Sequence, residues 1–223
     1  MNISGKITAG FMVAVVLLTM AGCAGKDGKE VPAEDLAREG LELFDRGKYY
    51  KALQTFDIIK DRFPFSRFSL LAELKSADCK FYMEEYEEAQ GLYEEFEKNH
   101  PTNEAIPYVI FQTGRCQYTK IDTVDRDTSG AHKAIEIFTR LIKTYPKSSY
   151  VVEAKALIKK STEFLGEHEL YVANWYLKTE QPEQARIRIE YLLDHYPETF
   201  AAAEANRMLA LLEKEPGKEP VKK

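Results

Sequence analysis

The chain has 223 residues, with 31 lysines and arginines against 36 aspartates and glutamates and a formal net charge of −5. An acidic excess argues against a nucleic-acid partner. His100, His132, His168 and His195 are dispersed, and no phosphate loop, nucleophile elbow or metal-ligand spacing appears, so no catalytic centre, cofactor or metal site is expected.

Residues 1–22 read as a secretory leader. Lys6 precedes the apolar run ITAGFMVAVVLLTM, which at 14 residues is short of the roughly 20 needed to span a bilayer. The run stops at Ala21-Gly22-Cys23. Met-Ala-Gly-Cys resembles a bacterial lipobox, with Met20 where leucine is usual. That resemblance implies cleavage before Cys23, acylation of its thiol and, with Ala24 following it, sorting to the outer membrane. Residues 23–32 then form a Gly/Lys tether that holds a domain off the membrane surface. Loss of Lys6 with the leader makes the mature chain more acidic still.

From Ala33 onward the sequence repeats. Phe63-Pro64, His100-Pro101, Tyr145-Pro146 and Tyr196-Pro197 each close a segment in which an alanine stands twelve residues before the proline: Ala52, Ala89, Ala134 and Ala185. Four residues after each alanine come Phe56, Tyr93, Phe138 and Ile189, and three later Ile59, Phe96, Leu141 and Leu192. This i, i+4, i+7 stripe marks one face of a helix that ends at a proline. Upstream, Gly40, Ala77, Gly114 and Ala173 supply a small residue in a second amphipathic helix, where two helices can approach closely. The unit is a helical hairpin. Its first copy, Ala33 to Ser66, is 34 residues long and carries Leu36, Gly40, Gly47, Tyr49, Ala52, Phe56 and Pro64 at the positions of a tetratricopeptide (TPR) repeat.

The proline spacings are 37, 45 and 51. The excess over 34 places a three-residue insertion before the second repeat, a polar loop from Ile121 to Gly130 inside the third, and an additional helix from Ser149 to Leu165 capped by Ser148 or Ser149. Asp125 and Asp127 are expected to cap a helix and brace the loop. A closing helix runs from about Thr199 to Leu212. The predicted fold is all-α, a TPR superhelical solenoid over residues 33–213 with about ten helices in five hairpins, followed by a charged disordered tail over 214–223. Cys79 and Cys116 fall at the same place in successive repeats. Neighbouring helix axes lie about 8–10 Å apart, whereas a disulfide needs Cα atoms within about 7 Å, so both are expected as buried free thiols.

Three phenylalanines, Phe63, Phe65 and Phe68, crowd the connection DRFPFSRFS. Phe63 fits beneath the next hairpin. Phe65 and Phe68 have no core position in the repeat: either the insertion folds back over them or they form part of an apolar site. Four residues past the small positions come Phe44, Phe81 and Tyr118, an aromatic stripe on the first helices, which line the concave side of such arrays. The stripe is read either as core or as a groove for extended peptides. The glutamates from Glu84 to Glu97 read as a solvated helix surface.

The chain resembles the BamD family, TPR lipoproteins of the outer-membrane β-barrel assembly machinery. The carrying features are the lipobox at Cys23, the Phe63-Pro64-Phe65 element followed by Phe68-Ser69, the run Asp125-Arg126-Asp127, the inserted helix and the run ARIRIE, Ala185 to Glu190. The resemblance implies a periplasm-facing accessory that docks on the POTRA domains of the barrel protein BamA, works beside other lipoproteins of that complex, and receives the aromatic C-termini of unfolded outer-membrane proteins on its first repeats. Arg188 matches the basic residue that pairs with an acidic POTRA residue in the family; read by itself, it is a solvated surface charge. A pilus pilotin or a cell-wall-associated adaptor would share the same anchor and fold.

Overall fold

Every residue of the repeating stripe lies in the interior. In this computed structural model, which describes residues 31–214, the four alanines, their four i+4 partners and their four i+7 partners are all buried. Full burial of a side chain the size of Phe56 or Leu141 stabilises by about 1.5–3 kcal/mol. The described residues form nine α-helices and no strand: α1 Ala33–Asp45, α2 Tyr49–Arg62, α3 Ser69–Tyr82, α4 Tyr86–Asn99, α5 Ile106–Tyr118, α6 Ser129–Thr144, α7 Val151–Lys178, α8 Pro182–His195 and α9 Phe200–Lys214. Each packs on its neighbours in sequence, and α9 lies against both α7 and α8. The leader, Cys23 and the tether through residue 30, and the tail beyond Lys214, lie outside the described residues.

The small positions work as the repeat requires. A Cβ on Gly40 would stand 2.6 Å from Cε1 of Phe56, and one on Gly114 would stand 2.5 Å from Cε1 of Phe138. A ring of the second helix thus rests directly on the backbone of the first, and no larger residue fits without movement.

Three of the four turns inside the hairpins share one geometry, the exception being the polar loop between α5 and α6. Gly47 has φ +70°, and Glu84 and Glu180 at the matching positions have φ 62° and 59°. In each turn this residue's N–H donates to the carbonyl three back and the next N–H to the carbonyl five back: Gly47 to Phe44 and Lys48 to Leu43, Glu84 to Phe81 and Glu85 to Lys80, Glu180 to Leu177 and Gln181 to Tyr176. These are Schellman closures, which need a left-handed residue after the helix. Two of the three place a glutamate where glycine is the relaxed choice.

One expectation changes. The inserted helix and the helix holding Trp175 are a single 28-residue α7, so the described array has nine helices where ten were expected. Gly166, the one weak helix former at the join, keeps its helical place because Thr199 packs on it: a Cβ there would stand 2.7 Å from the threonine Oγ1. The cap also differs. The N-cap residue of α7 is Tyr150, without a side-chain cap, while the Ser148 hydroxyl accepts the Tyr150 N–H at 3.3 Å.

The polar loop is pinned to α7. His168 Nδ1–H donates to the Val124 carbonyl at 2.6 Å, and Ile121 and Val124 pack with Ala131, Phe164 and Leu165. Asp127 accepts the Ser129 hydroxyl, which holds its carboxyl below the ordinary range, whereas the N-cap of α6 is Thr128. Cys79 and Cys116 are free and buried, as expected.

Candidate binding surfaces of the array

The connections between hairpins follow one plan. After each closing proline comes a residue in solvent, then Ser66, Asn103, Ser148 or Thr199, whose side-chain oxygen accepts a backbone N–H of the following turn. The solvent position is held by Thr102, Lys147 and Glu198 in the later connections and by Phe65 in the first. Phe65 is 101% exposed. The insertion therefore does not fold back over it. Phe63 and Phe68 are half-buried against the first core cluster, with the Arg67 guanidinium 4.7 Å above the Phe68 ring. Of the three phenylalanines, two edge the core and one meets water.

The aromatic stripe is covered rather than open. Phe81 is buried, Tyr118 packs half-buried on the central cluster, and Phe44 packs half-buried on the first. A cation from the next hairpin lies over each of two rings: Lys75 Nζ is 4.6 Å from the Phe44 centroid, and the Arg115 guanidinium is 4.6 Å from that of Phe81. Both cations are tied to a polar network inside the array. Asp78, 1% exposed, accepts the hydroxyls of Tyr93 and Tyr108 at 2.7 Å each and pairs with Lys75 at 2.8 Å. Gln112 donates to the Tyr108 hydroxyl and accepts from Arg115, both at 3.0 Å. This face therefore presents an ammonium and a guanidinium standing on the Phe44 and Phe81 rings.

At the far end, Arg188 projects from α8 with its side chain 42% exposed and its Nη1 3.2 Å from Glu169 Oε2 of α7. Glu169 is nearly buried, its side chain 11% exposed. It was not singled out from sequence, although it carries a signal: Leu165, Glu169 and Ala173 fall at i, i+4, i+8, and all three are buried, so a carboxylate stands in an apolar stripe. Arg186, the other arginine of the run, faces Glu183 at 3.9 Å. Nearby on α7, Tyr171, Val172, Trp175 and Tyr176 line a shallow cavity of about 310 Å³, with Tyr171 and Trp175 about half exposed. Among the described residues no cluster of three His, Cys, Asp or Glu side chains could hold a metal ion, and no helix is long and apolar enough to cross a membrane.

Nine helices in hairpins with a repeating small-on-aromatic contact define a TPR-type helical array. The family described as outer membrane lipoprotein matches residues 29–222. The chain is 30% identical over 194 residues to the outer membrane protein assembly factor BamD of Rickettsia prowazekii, covering 86% of this chain and 77% of that one. It is 26% identical to BamD of Caulobacter vibrioides, covering 90% and 68%, and 26% identical to BamD of Pasteurella multocida, covering 90% and 81%. A solved TPR protein of Thermus thermophilus aligns with a TM-score of 0.44 at 15% identity, covering 82% of this chain and all of that one. This chain belongs to the BamD family of outer-membrane lipoproteins.

Proposed function

We propose that the protein is an outer-membrane protein assembly factor: a non-catalytic scaffold, lipid-anchored through Cys23 on the periplasmic face, that docks on the POTRA domains of BamA among the other lipoproteins of that complex and receives unfolded β-barrel proteins. Membership of the family whose relatives bear that name carries the reading. Two features of this chain fit it. Arg188 offers a partly exposed guanidinium, suited to bidentate capture of a partner carboxylate. Phe65 offers a bare ring on the first connection, where every later connection has a polar residue, and an aromatic peptide end would bury it. Phe68 edges the same connection, and Phe44, Phe81 and Tyr118 line the neighbouring repeats, where Lys75 and Arg115 stand on the Phe44 and Phe81 rings as further contacts for an incoming peptide.

The test is a crosslinked pull-down from outer membranes with the lipidated protein as bait. Recovery of BamA supports the reading, and a membrane fraction free of BamA counts against it. A photo-crosslinking residue in place of Phe65 should capture peptides with aromatic C-termini and pass over the same peptides with the terminal aromatic removed.

A further inference from the structure

The Arg188–Glu169 pair is asymmetric in a way that a surface ion pair is not. The carboxylate is nearly buried, among the buried Leu165 and Ala173 of α7, while the guanidinium is two-fifths exposed. Among the described residues, Glu169 pairs with no other cation. A buried anion with a single partner holds that partner in place, because departure of the cation would leave the charge uncompensated. The contact joins one guanidinium nitrogen to one carboxylate oxygen at 3.2 Å, longer than the 2.7–2.9 Å usual for such bonds, so it uses one edge of a fork that carries five donors. Among the described residues the guanidinium makes no other hydrogen bond, and its side chain stays 42% exposed.

From this geometry we infer that Glu169 is a positioning residue for docking: it fixes the Arg188 guanidinium in one orientation, so that a partner carboxylate meets a fork already ordered. The inference rests on the docking role given to Arg188 above. It has a definite sign. If Glu169 merely competed with the partner for the arginine, neutralising it would strengthen docking. If Glu169 orders the arginine, neutralising it weakens docking, because the ordering entropy of a long side chain then falls on the binding step.

The experiment is a titration of purified full-length protein in detergent against the purified POTRA fragment of the same organism's BamA, using Glu169→Gln, Glu169→Asp, Arg188→Ala and the double variant Glu169→Gln/Arg188→Ala. Glutamine keeps the shape and an acceptor oxygen, and should weaken docking by about 3- to 10-fold with the helical signal and melting curve retained. Aspartate keeps the anion and withdraws it by one methylene, so it should weaken docking by less; should glutamine fail to fold, the aspartate variant carries the test. In the Arg188→Ala background, Glu169→Gln should have no further effect. Unchanged or tighter binding by Glu169→Gln, with Arg188→Ala weakened, overturns the inference. So does an equal loss in both backgrounds, which a purely structural role would give. Wild-type binding by Arg188→Ala removes the docking reading itself, and the inference with it, and is distinguished by that single variant.

Discussion

The Tyr108 hydroxyl and the Asp78 carboxylate stand 2.7 Å apart across thirty residues of sequence. Tyr93 meets the same oxygen at the same distance, so one buried carboxylate joins α3, α4 and α5. Asp78→Ala would leave the Lys75 ammonium and two phenols without their acceptor. Loss of one member of a buried charged pair costs about 3–5 kcal/mol. We expect the urea midpoint of Asp78→Ala to fall by a corresponding amount, and Asp78→Asn to fall less; a midpoint within error of the parent for both would refute the structural role.

Alkaline pH should weaken the fold. Burial raises the thiols of Cys79 and Cys116 from 9.0 to about 12, and burial together with Asp78 raises the phenols of Tyr93 and Tyr108. These groups hold their protons more tightly folded than unfolded, so their contribution is complete below the unfolded values. It is lost as pH rises from about 9 through about 12 for the thiols. Melting temperature recorded across that window should decline, and more gently in the Cys79→Ala/Cys116→Ala variant.

Gly114→Ala is a one-carbon test of the repeat. Its Cβ would lie 2.5 Å from the Phe138 ring, and overpacking of this kind costs about 1–3 kcal/mol. Phe138→Leu should recover part of the loss when combined with it, since the smaller side chain gives the new methyl room. Additive losses in calorimetry would contradict the contact.

Glu84 and Glu180 hold left-handed backbone where Gly47 does so without strain. The strain for an ordinary residue is roughly 1–2 kcal/mol, offset in part by the greater chain entropy of glycine. Glu84→Gly and Glu180→Gly should each be neutral or stabilising by up to about 1 kcal/mol in urea melts, and Gly47→Val destabilising.

Phe65 and Phe68 should separate cleanly. Fully exposed Phe65 can become serine with a stability change within about 0.5 kcal/mol, while half-buried Phe68→Ala should cost on the order of 1–3 kcal/mol. A large thermal shift for Phe65→Ser would mean that its ring is covered in solution.

The stripe of Ala52, Phe56 and Ile59 and its three copies made the hairpins legible, because burial of one helix face imposes a spacing that sequence alone displays. The unity of α7 was hidden: Gly166 lowers helix propensity by about 1 kcal/mol, and the contact that favours a glycine there comes from Thr199, 33 residues away. Phe44 and Phe81 had the right periodicity for a groove, yet the cations over them arrive from the next hairpin, beyond the reach of any local pattern. Phe65 needed its three counterparts, Thr102, Lys147 and Glu198, before its exposure had meaning. Glu169 was readable in principle, as a carboxylate within a buried i, i+4, i+8 row.

A rod of 28 residues is about 42 Å long at 1.5 Å per residue, and α7 packs against α6, α8 and α9. In most repeat arrays each unit can melt at its seam with the next. Here the seam between Leu165 and Glu169 is continuous helical backbone, so to part there the chain must break its own hydrogen-bond ladder in mid-helix. The C-terminal hairpin therefore lacks a loop hinge at this seam, and the Arg188 contact at Glu169 and the loop contact at His168 sit on adjacent residues of one continuous helix.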